Sequence, residues 1–168
     1  MPQLNDTIFK QSVILICEHN KEGTMGLIVN KPIDSSDDES KFIISEYTNN
    51  KIYFGGPVNL NVCFILHDNS YSLNKTLLVS NDILLTSSNQ IIKDIKEGHG
   101  PENFKFNMGY AGWDKGQLEQ EIKNGDWLLI PNPKNFIFDI PDNEKWIYTA
   151  NKLGMNFNDA WGSPGGEA

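Results

Sequence analysis

Arginine is absent: all 14 basic residues among the 168 are lysines, set against 22 acidic residues for a formal net charge of −8. Guanidinium is the bidentate partner best matched to guanine edges and phosphates, so its absence and the negative field together disfavour a reader of duplex DNA. Cysteine is scarce as well. Cys17 and Cys63 are the only two, each inside an apolar run, which suits buried reduced thiols and not a disulfide framework. No apolar stretch approaches the roughly 18 residues of a membrane span. The first ten residues lack the charged segment followed by an apolar one that a secretory signal needs, so a cytoplasmic location is expected. Also missing are a Gly-x-Ser-x-Gly elbow, the Gly-Lys-Ser/Thr of a phosphate-binding loop and any zinc-finger spacing. Neither Cys17 with His19 nor Cys63 with His67 fits a zinc pattern, so no metal or cofactor is expected and no catalytic residue is assigned.

What is present is a globular composition, 39% hydrophobic and 21% charged, and a length suited to one domain with one core. The chain is organised around residues 104–131. Phe104, Phe106, Met108 and Tyr110 alternate with Lys105, Asn107, Gly109 and Ala111, the period-2 pattern of a strand buried on one face. Gly109 and Gly112 mark a bend or a close backbone approach, and the chain is expected to turn there. Asp114 with Gln117 predicts a capped helix over 115–124, with Gly125 in the left-handed position that ends it. Residues 126–131 then predict a short apolar strand, giving a strand-helix-strand unit.

Upstream, residues 12–17 read as a central strand covered on both faces, with residues 25–29 as its hairpin partner. Residues 33–40 are acidic and serine-rich, a solvated loop that opens a short helix through Phe42, Ile43 and Tyr47. Residues 52–54, 62–66, 77–79 and 83–85 are further strand candidates. The break at Gly55, Gly56 and Pro57 reads as a tight turn, with a small anion-binding nest as the sharper alternative. Ser87 with Gln90 predicts a capped helix carrying Ile91, Ile92 and Ile95 and ending at Gly98. Residues 136–138 suggest a last edge strand, Pro141 and Asp142 open a final helix with Trp146, Ile147, Ala150 and Leu153 on one face, and the glycine-rich tail 158–168 is expected to fray.

Taken together, SVILICEHN with MGLIVNKP, YFGGPV with FILH, TSS before the capped helix, and GHGPENFKFNMGYAGWDKGQLEQEI resemble the YqgE/AlgH family of bacterial cytosolic proteins. The resemblance covers residues 1–157 as one domain. It implies an α+β fold whose bifurcated, largely antiparallel sheet forms a pseudo-barrel with helices packed outside, and a transcriptional-regulator label. The family-like positions include Gly55, Gly56, Pro57, His67, Thr86, Ser87, Gly109, Tyr110, Gly112, Trp113, Gly116 and Gln117. Val62-Cys63 stands where the family usually has Arg-Gly, and Gly166-Glu167-Ala168 lacks a terminal histidine common there.

Three functional readings follow. The first is a non-enzymatic regulatory or binding protein whose surface combines Gly55, Gly56, Pro57, Gly112 and the aromatic anchors Tyr110 and Trp113. The second is an enzyme with His67, Thr86 and Ser87 converging in a pocket, for which a histidine held as a structural hydrogen-bond partner is the plainer account. The third is a DNA-binding regulator, which the charge pattern disfavours. The first is adopted, with a protein or small molecule as the expected partner.

Overall fold

A computed structural model of the chain describes residues 7–33, 50–131 and 135–155. The helix expected after residue 41 and the tail 158–168 lie outside the described residues. Among the described residues seven strands follow in order: β1 (Ile14–His19), β2 (Gly23–Ile28), β3 (Ile52–Phe54), β4 (Val58–Asp68), β5 (Leu77–Ser80), β6 (Ile83–Thr86) and β7 (Phe104–Asp114). Four helices accompany them among the described residues: α1 (Asn89–Lys96), α2 (Gln117–Lys123), α3 (Phe136–Asp139) and α4 (Asp142–Lys152).

The strands form one sheet in the order β1-β2-β7-β4-β6-β5, antiparallel throughout, with β3 joined parallel to β7. β7 is the shared member. Its first half pairs with β4 on one edge and β3 on the other, while its second half pairs with β2 through Gly23 to Gly26. One edge of β7 is therefore divided between β2 and β3, which makes the sheet bifurcated. The sheet curls until its outer strands meet: Leu15 and Cys17 of β1 and Leu77 and Val79 of β5 pack on a common cluster with Leu27, Val29, Leu66, Ile83 and Leu85. This is the α+β pseudo-barrel expected from the resemblance. β1 is an edge strand of the ladder, not a central one, and its apolar residues are covered because the barrel curls around them.

Parity along the strands assigns the two faces. On β4, Phe64 and Leu66 join the interior cluster, whereas Cys63 and Ile65 face outward and pack with Phe106 under Ile91, Ile92 and Ile95 of α1. On β7, Phe104 and Phe106 also belong to the outer cluster, but Tyr110 joins the interior one. The single apolar face expected over 104–110 is thus split. Gly109 lies between the halves at φ +67, a left-handed conformation that resets the alternation as a bulge does. The chain does not turn at this point: β7 bends and continues to Asp114.

The same parity sends Lys105 and Asn107 to the interior side, opposite Leu66 and Phe64 in the register. Both are buried.

Other local expectations shift for identifiable reasons. Ser88, not Ser87, caps α1: its backbone is extended beside the first helical residue, and its side chain accepts the Gln90 N–H. α2 starts at Gln117 after Gly116 at φ +76, and Gln117 still reaches back to accept the Asp114 N–H, one arm of the expected capping box. Residues 126–131 form no ladder; Trp127 buries its ring beside Trp113 and Leu118, while Leu128 and Leu129 stay exposed. Residues 136–138 are the short helix α3, not a strand, and Phe136 and Ile137 enter the interior cluster. On α4 the buried residues are Lys145 and Ala150, while Ile147 is exposed.

Candidate functional site

Gly55, Gly56 and Gly109 are buried contacts between backbones. The Gly55 N–H donates to Met108 O and its carbonyl accepts the Ile28 N–H. A Cβ on Gly56 would stand 2.2 Å from the Tyr110 carbonyl carbon, and one on Gly109 would stand 2.4 Å from the Gly56 oxygen. These separations are closer than side-chain carbons occupy, so the glycines are there to let two strands touch. The anion-nest alternative for Gly55-Gly56 is overturned, because the Gly55 N–H is spent on the strand. Tyr110 is not an exposed anchor either; its ring meets Phe64 edge-on at 5.9 Å on the interior side.

Pro57, Gly112 and Trp113 do come together. With Phe9, Val58, Ala111, Gln117, Glu121, Asp126 and Trp127 they line a cleft of about 280 Å³. One carboxylate oxygen, Glu121 Oε2, accepts both the Trp113 and the Trp127 indole N–H, at 2.8 and 2.7 Å. The two indoles meet edge-to-face at 5.8 Å, and Phe9 packs on Trp127 in the same manner at 5.7 Å. Gln117 holds the other oxygen of Glu121. The result is a rigid aromatic wall with an acidic floor.

His67 and Thr86 also meet, but in a sealed place. The Asp68 carbonyl can only accept, so His67 Nδ1 carries the proton at 2.8 Å and Nε2 is left as the acceptor in the neutral ring. Thr86 Oγ1, 2.9 Å from Nε2, therefore donates to it, accepts in turn from Thr76 Oγ1 at 2.9 Å, and Thr76 Oγ1 accepts the Leu73 N–H. Every position in this chain of hydrogen bonds is filled. Burial lowers the His67 pKa, an effect the Asp68 carbonyl and carboxylate only partly offset, so the ring stays neutral. His67 and Thr86 are 0% and 1% exposed, so a substrate would have to open the fold to reach them. Ser87, the third member of the expected site, is an exposed residue that joins none of these bonds. Burial also pushes the Cys17 thiol up to about 12 and the Cys63 thiol to about 11. Neither is a ready nucleophile at neutral pH. Among the described residues no cluster of metal-ligating side chains occurs.

A fourth constellation was not anticipated from the sequence. Tyr53, Lys105, Asp142 and Lys145 converge where β3 and β7 meet the first turn of α4. The Tyr53 hydroxyl donates to Asp142 Oδ2 at 2.8 Å, and Lys105 and Lys145 both donate to Oδ1, at 2.9 and 3.3 Å. Lys145 also donates to the Ile140 carbonyl, and the Lys105 ammonium lies 3.9 Å from the centre of the Tyr53 ring. Burial lowers the pKa of both lysines, with Asp142 working against it. Burial alone would raise the Asp142 carboxyl, but the hydrogen bonds from Lys105 and Tyr53 and the two positive charges outweigh it and hold the group below its usual value. A cleft of about 490 Å³ opens over this group, lined also by Asn30, Pro32, Lys51, Phe138, Asp139 and Asn143. Sequence carried one usable signal: Lys105 occupies an alternating position within a strand whose two faces are both covered.

The fold and these sites can be set beside known proteins. A family model described as AlgH-like matches residues 1–158. The chain belongs to this family. Among its relatives, a UPF0301 protein of Shewanella woodyi is 38% identical over 166 residues, covering 93% of this chain and 88% of the relative. A second, from Pseudoalteromonas translucida, is 36% identical over 166 residues, covering 94% and 89% respectively. The solution structure of the AlgH protein from Pseudomonas aeruginosa superposes with a TM-score of 0.76 at 32% identity, covering 100% of this chain and 92% of that one. The fold of protein DIP2367 from Corynebacterium diphtheriae is similar too, with a TM-score of 0.72 over 90% of this chain and 82% of that one at 23% identity. None of these names states an activity, so membership establishes the fold and leaves activity to the sites. No helix among the described residues is long and apolar enough to cross a membrane.

Proposed function

We propose that this AlgH-like chain is a non-enzymatic, cytoplasmic regulatory protein that binds a protein partner at the cleft beside its glycine corner. The observation that carries the reading is the convergence of Pro57, Gly112 and Trp113 on a pre-formed aromatic wall with Trp127. The two indoles, only 7% and 8% exposed and held by a shared carboxylate, form a rigid backing, so that the exposed Pro57 and Gly112 in front of them offer contact area with little ordering cost on binding. Glu121 and Asp126 line the same cleft, and the chain has a net charge of −8, which favours a segment carrying an apolar side chain next to basic groups and opposes a phosphate backbone. Regulation that follows from this surface passes through a protein, and any effect on transcription is indirect.

The test uses quantitative capture from a bacterial lysate on the wild-type chain and on Gly112→Lys, which places a long basic side chain at the exposed edge of the cleft. A partner specific to the wild type is then purified and titrated while the indole N–H resonances of Trp113 and Trp127 are followed. Selective loss on the variant together with shifts of both indoles supports the proposal. A partner that binds both proteins equally, or duplex DNA bound with a steep salt dependence, overturns it.

A further inference from the structure

At the mouth of the barrel two ammonium groups share one carboxylate oxygen. Among the described residues Asp142 is the only acid bonded to Lys105 and Lys145, so this buried group carries one positive charge more than it neutralises. Lys145 is 0% exposed, and the side chains of Lys105 and Asp142 are 10% and 15% exposed. A charge held out of water without a full complement of counter-charge is costly, and proteins normally pair it. Tyr53 does not supply the missing charge, because burial and the Asp142 carboxylate raise its pKa and keep the phenol neutral. Its ring face does turn toward Lys105 at 3.9 Å, which partly stabilises the ammonium.

The unbalanced charge lies under open space. The cleft above has a volume of about 490 Å³, within the range of small-ligand sites and in the position barrels commonly use for them. Lys51 is a lining residue and acts electrostatically on Lys105, adding a second cation at the rim. The lining also contains the exposed carboxylate of Asp139 and the side-chain amide of Asn143. Counting Lys51, Lys105 and Lys145 against Asp139 and Asp142, the site remains positive on a protein that is strongly negative overall. Asn30 is already spent, accepting from the Val13 N–H and donating to Gln11 O.

We infer that the cleft framed by Lys51, Tyr53, Lys105 and Asn143 binds a small oxyanion, the carboxylate or phosphate group of a metabolite, with the Lys105 ammonium as its main donor. Lys145 supports the site from behind by holding Asp142, and Asp139 at the rim weakens the binding. The ligand is small because the lysines act as point charges without the planar fork that would select a bidentate diester.

Calorimetric titrations of the full chain with inorganic phosphate and with succinate, at ionic strength matched by sodium chloride, test this. The two titrants separate the phosphate and carboxylate sources. Wild type is expected to bind at least one of them at one site, with chloride giving no heat. Lys51→Ala, an exposed rim change, should weaken binding about threefold, the effect of one cation several ångströms away in a water-like medium. Asp139→Asn should tighten it by a similar factor, and Lys105→Gln should weaken it at least about tenfold through loss of a charged hydrogen bond. Asp139→Asn is informative even if Lys105→Gln does not fold, because a purely structural lysine cluster gives no reason for an oxyanion to bind more tightly to it. Absence of heat with both titrants, or affinities unchanged in Lys51→Ala and Asp139→Asn, overturns the inference.

Discussion

Asp142→Ala is the most incisive single change. It removes the acceptor of Tyr53, Lys105 and Lys145 together. Breaking a buried pair by deleting one partner costs about 3–5 kcal/mol, because the remaining charge is left uncompensated. Here two charges remain. Two ammonium groups bonded to one oxygen lie no more than about 6 Å apart, and at an effective dielectric of about 20 their repulsion alone is about 3 kcal/mol. The loss is therefore expected at about 4 kcal/mol, which for a domain of this length lowers Tm by about 10 °C. Urea denaturation at pH 7, followed by tryptophan fluorescence, measures it as a fall in the midpoint at constant slope. Adding Lys145→Met to Asp142→Ala removes one of the opposed charges with little change in volume, and should recover at least about 1 kcal/mol. A single-variant loss below about 1 kcal/mol, or a double variant no more stable than the single, would refute the charge argument.

Other perturbations test the backbone contacts and the buried histidine. Gly56→Ala, at φ +151 and with its added carbon 2.2 Å from the Tyr110 backbone, is expected to cost more than about 3 kcal/mol; Gly125→Ala, at φ +78 but with open space around it, is expected to cost only about 1–2 kcal/mol. Comparable losses measured by denaturation for both would show that conformation and not backbone contact governs Gly56. The lowered pKa of His67 means that the unfolded chain takes up a proton before the folded one does, so stability falls as pH drops below the unfolded value of 6.5. Comparing unfolding free energies at pH 7 and pH 5.5 for wild type and His67→Gln should show that part of the decline vanish in the variant; an unchanged decline would place its origin elsewhere.

The strands were legible because their signals are local. Alternation and apolar runs marked the cores of all seven, and Gly98 and Gly125, read as helix ends, both take a left-handed φ. What escaped was decided at long range. An apolar run such as residues 12–17 looks the same whether a strand is covered by neighbours in the ladder or by a curling barrel. Residues 126–131 have strand-like composition, but Trp127 is held edge-on against Trp113 in a buried cluster and the segment joins no ladder. The candidate surface was half legible: Pro57, Gly112 and Trp113 share a cleft, whereas Gly55, Gly56 and Tyr110 serve the contacts between strands. Beyond the alternating position of Lys105, the lysine group left no mark, because Tyr53, Lys105 and Asp142 are brought together across separations of up to 89 residues, and no spacing rule registers that.

Because β7 serves both branches of the sheet, neither branch has a complete set of backbone partners without it. A fragment ending before Phe104 would leave β2, β3 and β4 each with an open edge, and those edges are templates for pairing with other chains. During synthesis the first hundred residues emerge in that condition. The strand that completes the ladder is the last of the described strands to be made, so this protein has a window on the ribosome in which its own late segment competes with neighbouring nascent chains for the same hydrogen bonds.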